Sequence, residues 1–209
     1  MKGKFITFEG IDGSGKSTQL RLVEQYLAAA GHDVVSTLEP GGTPLGRQLR
    51  SVFLETKETI SPRAELLLFA ADRAQHVELL IKPSLAAGKI VISDRYADAT
   101  VAYQGAGRGF DPDTIAQIID IATDGLMPDL TLFFDITVET ALERMNARHM
   151  SGSEANRMDG ETAEFYERVR DAYLVVAARE PERVCVINAE GTIDEIFEKT
   201  VAVLSERLN

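Results

Sequence analysis

The sequence predicts a three-layer α/β/α sandwich around a five-stranded parallel sheet, and three observations lead there. Apolar, often β-branched runs recur at residues 5–9, 33–38, 89–93, 130–136 and 183–188. Runs of such continuous apolar character suit strands covered on both faces. Helical stretches separate them in strict alternation, which is the order of a parallel sheet with crossover helices. A glycine-rich turn joins the first strand to the first helix, without repeats or low-complexity linkers anywhere along the 209 residues.

The elements follow in order. After the strand at 5–9 a helix runs over about 16–30, and Gly31 stands where a C-terminal glycine cap is expected. The second strand ends at Glu39-Pro40-Gly41-Gly42, and a helix covers 44–54. Ser61-Pro62 is an N-cap followed by a first-turn proline, opening a long helix to about 85 with a kink expected at Pro83. The third strand is flanked by Gly88 and Asp94. A short helix at 97–103 runs into the glycines of 105–109, and Asp111-Pro112 starts another, to 124. Helices at 138–148, 161–179 and 193–208 alternate with the last two strands. Residues 149–156 are small and polar without periodicity and read as a mobile loop.

Composition bounds the function. A chain of this length is expected to be one domain, 1–209, that buries a sufficient core without disulfides or structural metal. Hydrophobic residues at 44% and charged residues at 26% exclude disorder. Lys and Arg number 22 against 33 Asp and Glu, a net charge of −11. Such an acidic surface is a poor general partner for DNA or RNA, so no nucleic-acid partner is expected. Anionic small molecules remain open if a few Arg gather in one cleft. One cysteine, Cys185 in an apolar run, is expected as a buried thiol and excludes a disulfide framework. No apolar run approaches 18 residues and no signal peptide is present, so the expectation is a soluble, cytoplasmic protein without a membrane partner. His32, His76 and His149 lack metal-ligand spacing and are assigned no chemistry.

Gly10-Ile11-Asp12-Gly13-Ser14-Gly15-Lys16-Ser17 matches the phosphate-binding pattern G-x-x-x-x-G-K-[ST] in full, after a strand and opening a helix. Glycines let backbone N–H groups curl around a phosphate, and the helix N-terminus adds partial positive charge. Lys16 would reach the β- and γ-phosphates, and the Ser17 hydroxyl would ligate Mg²⁺. These residues, with Thr18, form the expected ATP site. The guanine-binding N-K-x-D of a switch GTPase is absent. The third strand ends in Asp94-Arg95-Tyr96 rather than the Asp-Glu usual in motor ATPases. An Arg there suits a site holding a donor and an acceptor phosphate together.

With these residues and with Phe8-Glu9-Gly10, Glu39-Pro40-Gly41-Gly42-Thr43, Phe69-Ala70-Ala71-Asp72-Arg73, Ala102-Tyr103-Gln104-Gly105, Gly107-Arg108-Gly109 and Pro128-Asp129-Leu130-Thr131-Leu132, the chain resembles the thymidylate kinases over essentially its whole length. The resemblance implies transfer of phosphate from ATP to dTMP with Mg²⁺, and a homodimer. It implies that Arg50 and Arg95 hold the acceptor phosphate. Phe69 would lie on the thymine ring, Arg73 would donate to O4, and Gln104 would meet N3. Tyr103 would crowd the sugar 2′ position, Asp12 would approach the 3′ side and the phosphates, and Glu39 and Thr100 would complete the substrate site. Ser17 and Asp94 would face the metal. The loop at about 148–160 corresponds to a lid supplying positive charge from Arg148 or Arg157, because the cradle has no basic residue besides Lys16. Two features depart from the family: Leu38 stands where an Arg often precedes Glu-Pro-Gly-Gly, and the lid is long. A deoxynucleoside kinase is the nearest alternative, since it too would bind ATP in such a cradle. It would need a carboxylate base and no grip on an acceptor phosphate. A non-catalytic nucleotide-binding module would need no acceptor site at all.

Overall fold

The computed structural model describes residues 3–56, 58–150 and 160–207. Five strands, β1 (Lys4–Glu9), β2 (Val34–Leu38), β3 (Ile90–Asp94), β4 (Leu130–Asp135) and β5 (Val184–Asn188), form one sheet in the order β2-β3-β1-β4-β5, every neighbouring pair parallel. β1 lies at the centre, so the turn that follows it emerges mid-sheet, between the ends of β3 and β4. In an open parallel sheet that is where ligands gather. Apolar side chains from both sheet faces are buried: Ile6, Phe8, Ile92, Leu132 and Phe134 on one side, Phe5 and Val91 with Val77, Ile81 and Tyr96 on the other.

The helices are α1 (Lys16–Ala29), α2 (Pro44–Glu55), α3 (Pro62–His76), α4 (Lys82–Ala86), α5 (Ala97–Ala99), α6 (Pro112–Thr123), α7 (Val138–Met150), α8 (Ala163–Arg179) and α9 (Ile193–Arg207). Capping residues set several starts. Thr43, Ser61, Asp111 and Thr162 each accept a backbone N–H of the first turn on a side-chain oxygen, worth about 1 kcal/mol apiece. Among the described residues no helix is long and apolar enough to cross a membrane. Cys185 is half-buried against the core rather than enclosed by it.

Two helical expectations need correction. The long helix opened by Ser61 is not α-helical throughout; it widens just before Pro83 into a π-helical stretch, Val77–Ile81, where the Lys82 N–H reaches back to Val77 O. Proline has no N–H for the ordinary bond four residues back, and one wide turn absorbs the mismatch. The short helix at 97–103 continues through the glycines as a second π-helical stretch, Thr100–Gly107. Gly107 permits this by its size: a Cβ there would stand 2.6 Å from the Phe165 ring of α8.

Candidate active site

The turn between β1 and α1 is shaped by its glycines. Gly10, Gly13 and Gly15 adopt φ of 147°, 83° and 87°, which side chains resist. Gly13 is also pressed on α7, where a Cβ would come within 2.5 Å of the Ala141 carbonyl oxygen. Ile11 and Ser14 are buried beneath the loop, and the N–H groups of Thr18 and Gln19 return to Gly15 O at 3.0 and 3.1 Å to start α1. The helix thus points its N-terminus at whatever the loop encloses, a favourable place for an anion.

Lys16 enters this space from α1, largely buried, with Nζ 3.9 Å from Asp12 and 4.0 Å from Asp94. Burial and then the neighbouring Arg95 lower its pKa. The Ser17 hydroxyl donates to Asp94. Arg95 follows with φ 73°, a left-handed conformation that costs a non-glycine residue about 1–3 kcal/mol. Its Nη2 donates to Asp12 Oδ1 at 2.6 Å, and its guanidinium lies over the Tyr103 ring at 4.5 Å. The Tyr103 hydroxyl donates to the other Asp12 oxygen at 3.1 Å. Burial would raise the Asp12 pKa, but Arg95 and Lys16 outweigh it and hold the carboxyl down to about 2.

Asp12, Lys16 and Arg95 line a cleft of about 360 Å³ with Gly13, Gly15, Ser17, Thr18, Leu38, Glu39, Arg50, Asp94 and Arg148. In a chain of net charge −11, its wall carries four cationic side chains, Lys16, Arg50, Arg95 and Arg148, against the carboxylates of Asp12, Glu39 and Asp94. That local balance suits phosphate esters. Arg50 also donates to Pro40 O at 2.9 Å. Arg148 reaches the wall from the exposed end of α7. Leu38, where the family often has Arg, brings an uncharged side chain to the same wall.

Further from the cradle the chemistry changes. Arg73 is buried, its Nε donating to Glu39 at 2.8 Å, Nη1 to the Thr100 hydroxyl and Nη2 to Tyr96 O, both at 2.7 Å. Each Nη carries a second hydrogen, so the group remains a donor toward a ligand. Thr100, expected as a substrate contact, here holds Arg73. Glu39 is shared, its second oxygen meeting His76 Nδ1 at 2.8 Å, while His76 Nε2 meets Thr37 Oγ1 at 2.7 Å. Gln104 donates its amide to Glu65 at 3.0 Å. A carboxylate only accepts, so the Gln104 carbonyl oxygen is the end left for a ligand's N–H. Phe69 is half-buried and stacks on Phe53, centroids 4.2 Å apart and rings 11° from parallel.

The structure therefore brings Asp12, Lys16, Ser17, Glu39, Arg50, Asp94, Arg95 and Arg148 to one cleft, and links Arg73, Thr100 and Tyr103 to its walls. Arg157 and most of the expected lid lie outside the described residues. Several functional neighbours escaped the sequence reading: Glu65, which fixes Gln104; His76, which had been given no chemistry; and Glu9. The signal for Glu65 was its place four residues before Phe69 and eight before Arg73, on one helical face. Glu9 and His76 offered no such signal.

A Mg²⁺ ion fits this donor set. Ser17 and Asp94, already in contact, offer a hydroxyl and a carboxylate, the hard oxygen ligands that Mg²⁺ takes together with substrate phosphates and water.

A cradle at the centre of a 2-3-1-4-5 parallel sheet, with extra cations across the cleft, defines a P-loop nucleotide kinase. A family model described as thymidylate kinase matches residues 8–200. The thymidylate kinase of Maridesulfovibrio salexigens is 47% identical over 98% of this chain and 96% of its own length, and that of Nitratidesulfovibrio vulgaris 49% over 98% and 97%. The crystal structure of thymidylate kinase from Ehrlichia chaffeensis superposes with a TM-score of 0.80 at 36% identity, covering 98% of this chain and all of that one. The chain belongs to the thymidylate kinase family.

Proposed function

We propose that this protein transfers the γ-phosphoryl group of ATP to dTMP with Mg²⁺, forming dTDP on the way to dTTP. The observation that carries the reading is the pairing of Lys16 in the cradle with Arg50 and Arg95 across the same cleft, cations enough for two phosphates. A phosphate monoester has its second pKa near 6, so the attacking oxygen is largely anionic at neutral pH and needs no general base. Asp12, held near 2, is too weak a base to serve as one.

Catalysis is then positioning and charge neutralisation. Arg50 and Arg95 hold the acceptor phosphate, and Lys16 spans the β- and γ-phosphates. Ser17 and Asp94 would hold Mg²⁺, which would supply charge neutralisation for the phosphates. Arg148 and Arg157 add cations from the far side, with the segment at about 148–160 serving as the lid of a single domain, 1–209. At the base, Phe69 stacks, Arg73 donates to O4 and the Gln104 oxygen accepts N3–H, while Tyr103 crowds the 2′ position. The protein acts in the cytoplasm as a homodimer; exposed apolar Leu67 of α3, Leu79 beyond it and Ile121 of α6 supply an interface.

Comparing ATP consumption with dTMP, thymidine and no acceptor tests this. Turnover is expected with dTMP alone, and Arg157→Ala should reduce it by about 10²-fold, in line with arginines that stabilise phosphoryl transfer. Equal turnover with thymidine would replace dTMP with a nucleoside acceptor.

A further inference from the structure

Arg95 is held in its left-handed conformation from three sides. Its own N–H donates to Phe8 O at 3.0 Å, and its carbonyl accepts from the Ser93 hydroxyl at 2.8 Å. The next N–H, that of Tyr96, donates to Glu9 Oε1 at 2.7 Å. Glu9 is wholly buried and is itself fixed by the Tyr173 hydroxyl, 2.7 Å from Oε2. Tyr173 in turn stacks on Phe133 of β4, centroids 5.0 Å apart. A rigid path thus runs from α8 through one carboxylate to the backbone beside Arg95, and through its side chain to Asp12.

A carboxylate in such a place is costly where an apolar residue would pack. Burial, then the charge of Asp98, pushes its pKa up to about 8. Glu9 does not line the cleft, so its position serves what it holds. The φ of Arg95 sets where its Cα–Cβ bond leaves the strand end, and the Tyr96 N–H is one of the pins on that angle.

We propose that Glu9 is a positioning residue of the acceptor site: by holding the Tyr96 N–H it keeps Arg95 left-handed and aims the guanidinium across the cradle. This rests on the reading of Arg95 as a ligand of the dTMP phosphate.

Glu9→Met keeps the volume and removes both acceptor oxygens. It should raise the dTMP KM about tenfold and lower kcat about tenfold, because misplacement of a reacting group by an ångström is enough for such losses. The ATP KM should stay within about twofold, since uniform damage to the fold would move both constants. Glu9→Gln should bring dTMP back to within about threefold of wild type: its carbonyl accepts from Tyr96 and its amide donates to the Tyr173 hydroxyl. In an Arg95→Ala background, Glu9→Met should add nothing, as expected when one residue acts through the other.

A wild-type dTMP KM in folded Glu9→Met overturns the proposal, as does a parallel rise in the ATP KM or full additivity with Arg95→Ala. An unchanged dTMP KM in Arg95→Ala alone removes the acceptor-site reading beneath it. Should Glu9→Met fail to fold, Tyr173→Phe deletes only the second anchor. It should raise the dTMP KM roughly threefold, about the worth of one hydrogen bond, and no change there overturns the proposal as well.

Discussion

At the cradle end of the cleft the main chain sets the shape, through three glycines in conformations side chains resist and the N-terminus of α1. At the end proposed for the base, side chains set it, each fixed by another: Arg73 by Glu39 and Thr100, Gln104 by Glu65. The two ends also treat a carboxylate differently. Asp12 is held down to about 2, because Arg95 and Lys16 outweigh its burial. Asp72, behind the base end, is pushed up to about 6 by burial and then by Glu39, and its Oδ2 meets no hydrogen-bond partner among the described residues. Backbone recognition tolerates any base on the phosphate it grips, whereas side-chain recognition selects, at the cost of buried charge.

The largest effect expected from this contrast is at the phosphate end. Lys16→Ala should lower kcat by about 10³-fold or more with the fold unchanged, because no main-chain group replaces a full charge on the transferred phosphoryl. A folded variant turning over at near-normal rate would break the contrast by making the cradle dispensable.

The base end is sharpened by Glu65→Gln. Wild type should reject dCMP by about 10²-fold, since cytosine leaves an Arg73 hydrogen and the Gln104 oxygen unpaired at ~1–3 kcal/mol each. An amide at 65 both donates and accepts, freeing Gln104 to turn its NH₂ toward cytosine N3. The dCMP-to-dTMP ratio of kcat/KM should rise about tenfold, the worth of one such mismatch. An unchanged ratio would mean that Gln104 needs no partner to choose its face.

The smallest effect is in stability. With its pKa raised from 3.8 to about 6, Asp72 binds a proton more tightly folded than unfolded, so it lowers stability as pH climbs through that window and above it. Asp72→Asn should raise Tm by on the order of a few degrees at pH 8 and by almost nothing at pH 4. A gain equal at both pH values would show that the carboxylate is not the burden.

The same contrast explains what could be read in the sequence. Parallel strands buried on both faces leave continuous apolar runs, and a loop shaped by its glycines leaves a contiguous motif, so the fold and the cradle loop were both legible. The bond of Thr100 to Arg73 and the parts of Glu65, Glu9 and His76 were not. Their partners lie 27, 39, 87 and 37 residues away in the chain, and a carboxylate or imidazole that steadies another side chain carries no local pattern. The π-helical stretches escaped for a related reason. A widened turn shifts the phase of the apolar residues only over a few positions, too short a stretch to set it apart from an ordinary helix.

One contact has a kinetic meaning. Arg95 and Tyr103 are both engaged by Asp12. On the proposed reading of Arg95, a phosphate reaching Nη2 would displace this resident anion, and the aspartate would close behind the departing product. Arg95 would then trade one anionic partner for another. Such an exchange would limit how tightly any phosphate is held while shortening its stay, the behaviour that suits an enzyme which must release a diphosphate more highly charged than the monophosphate it took in.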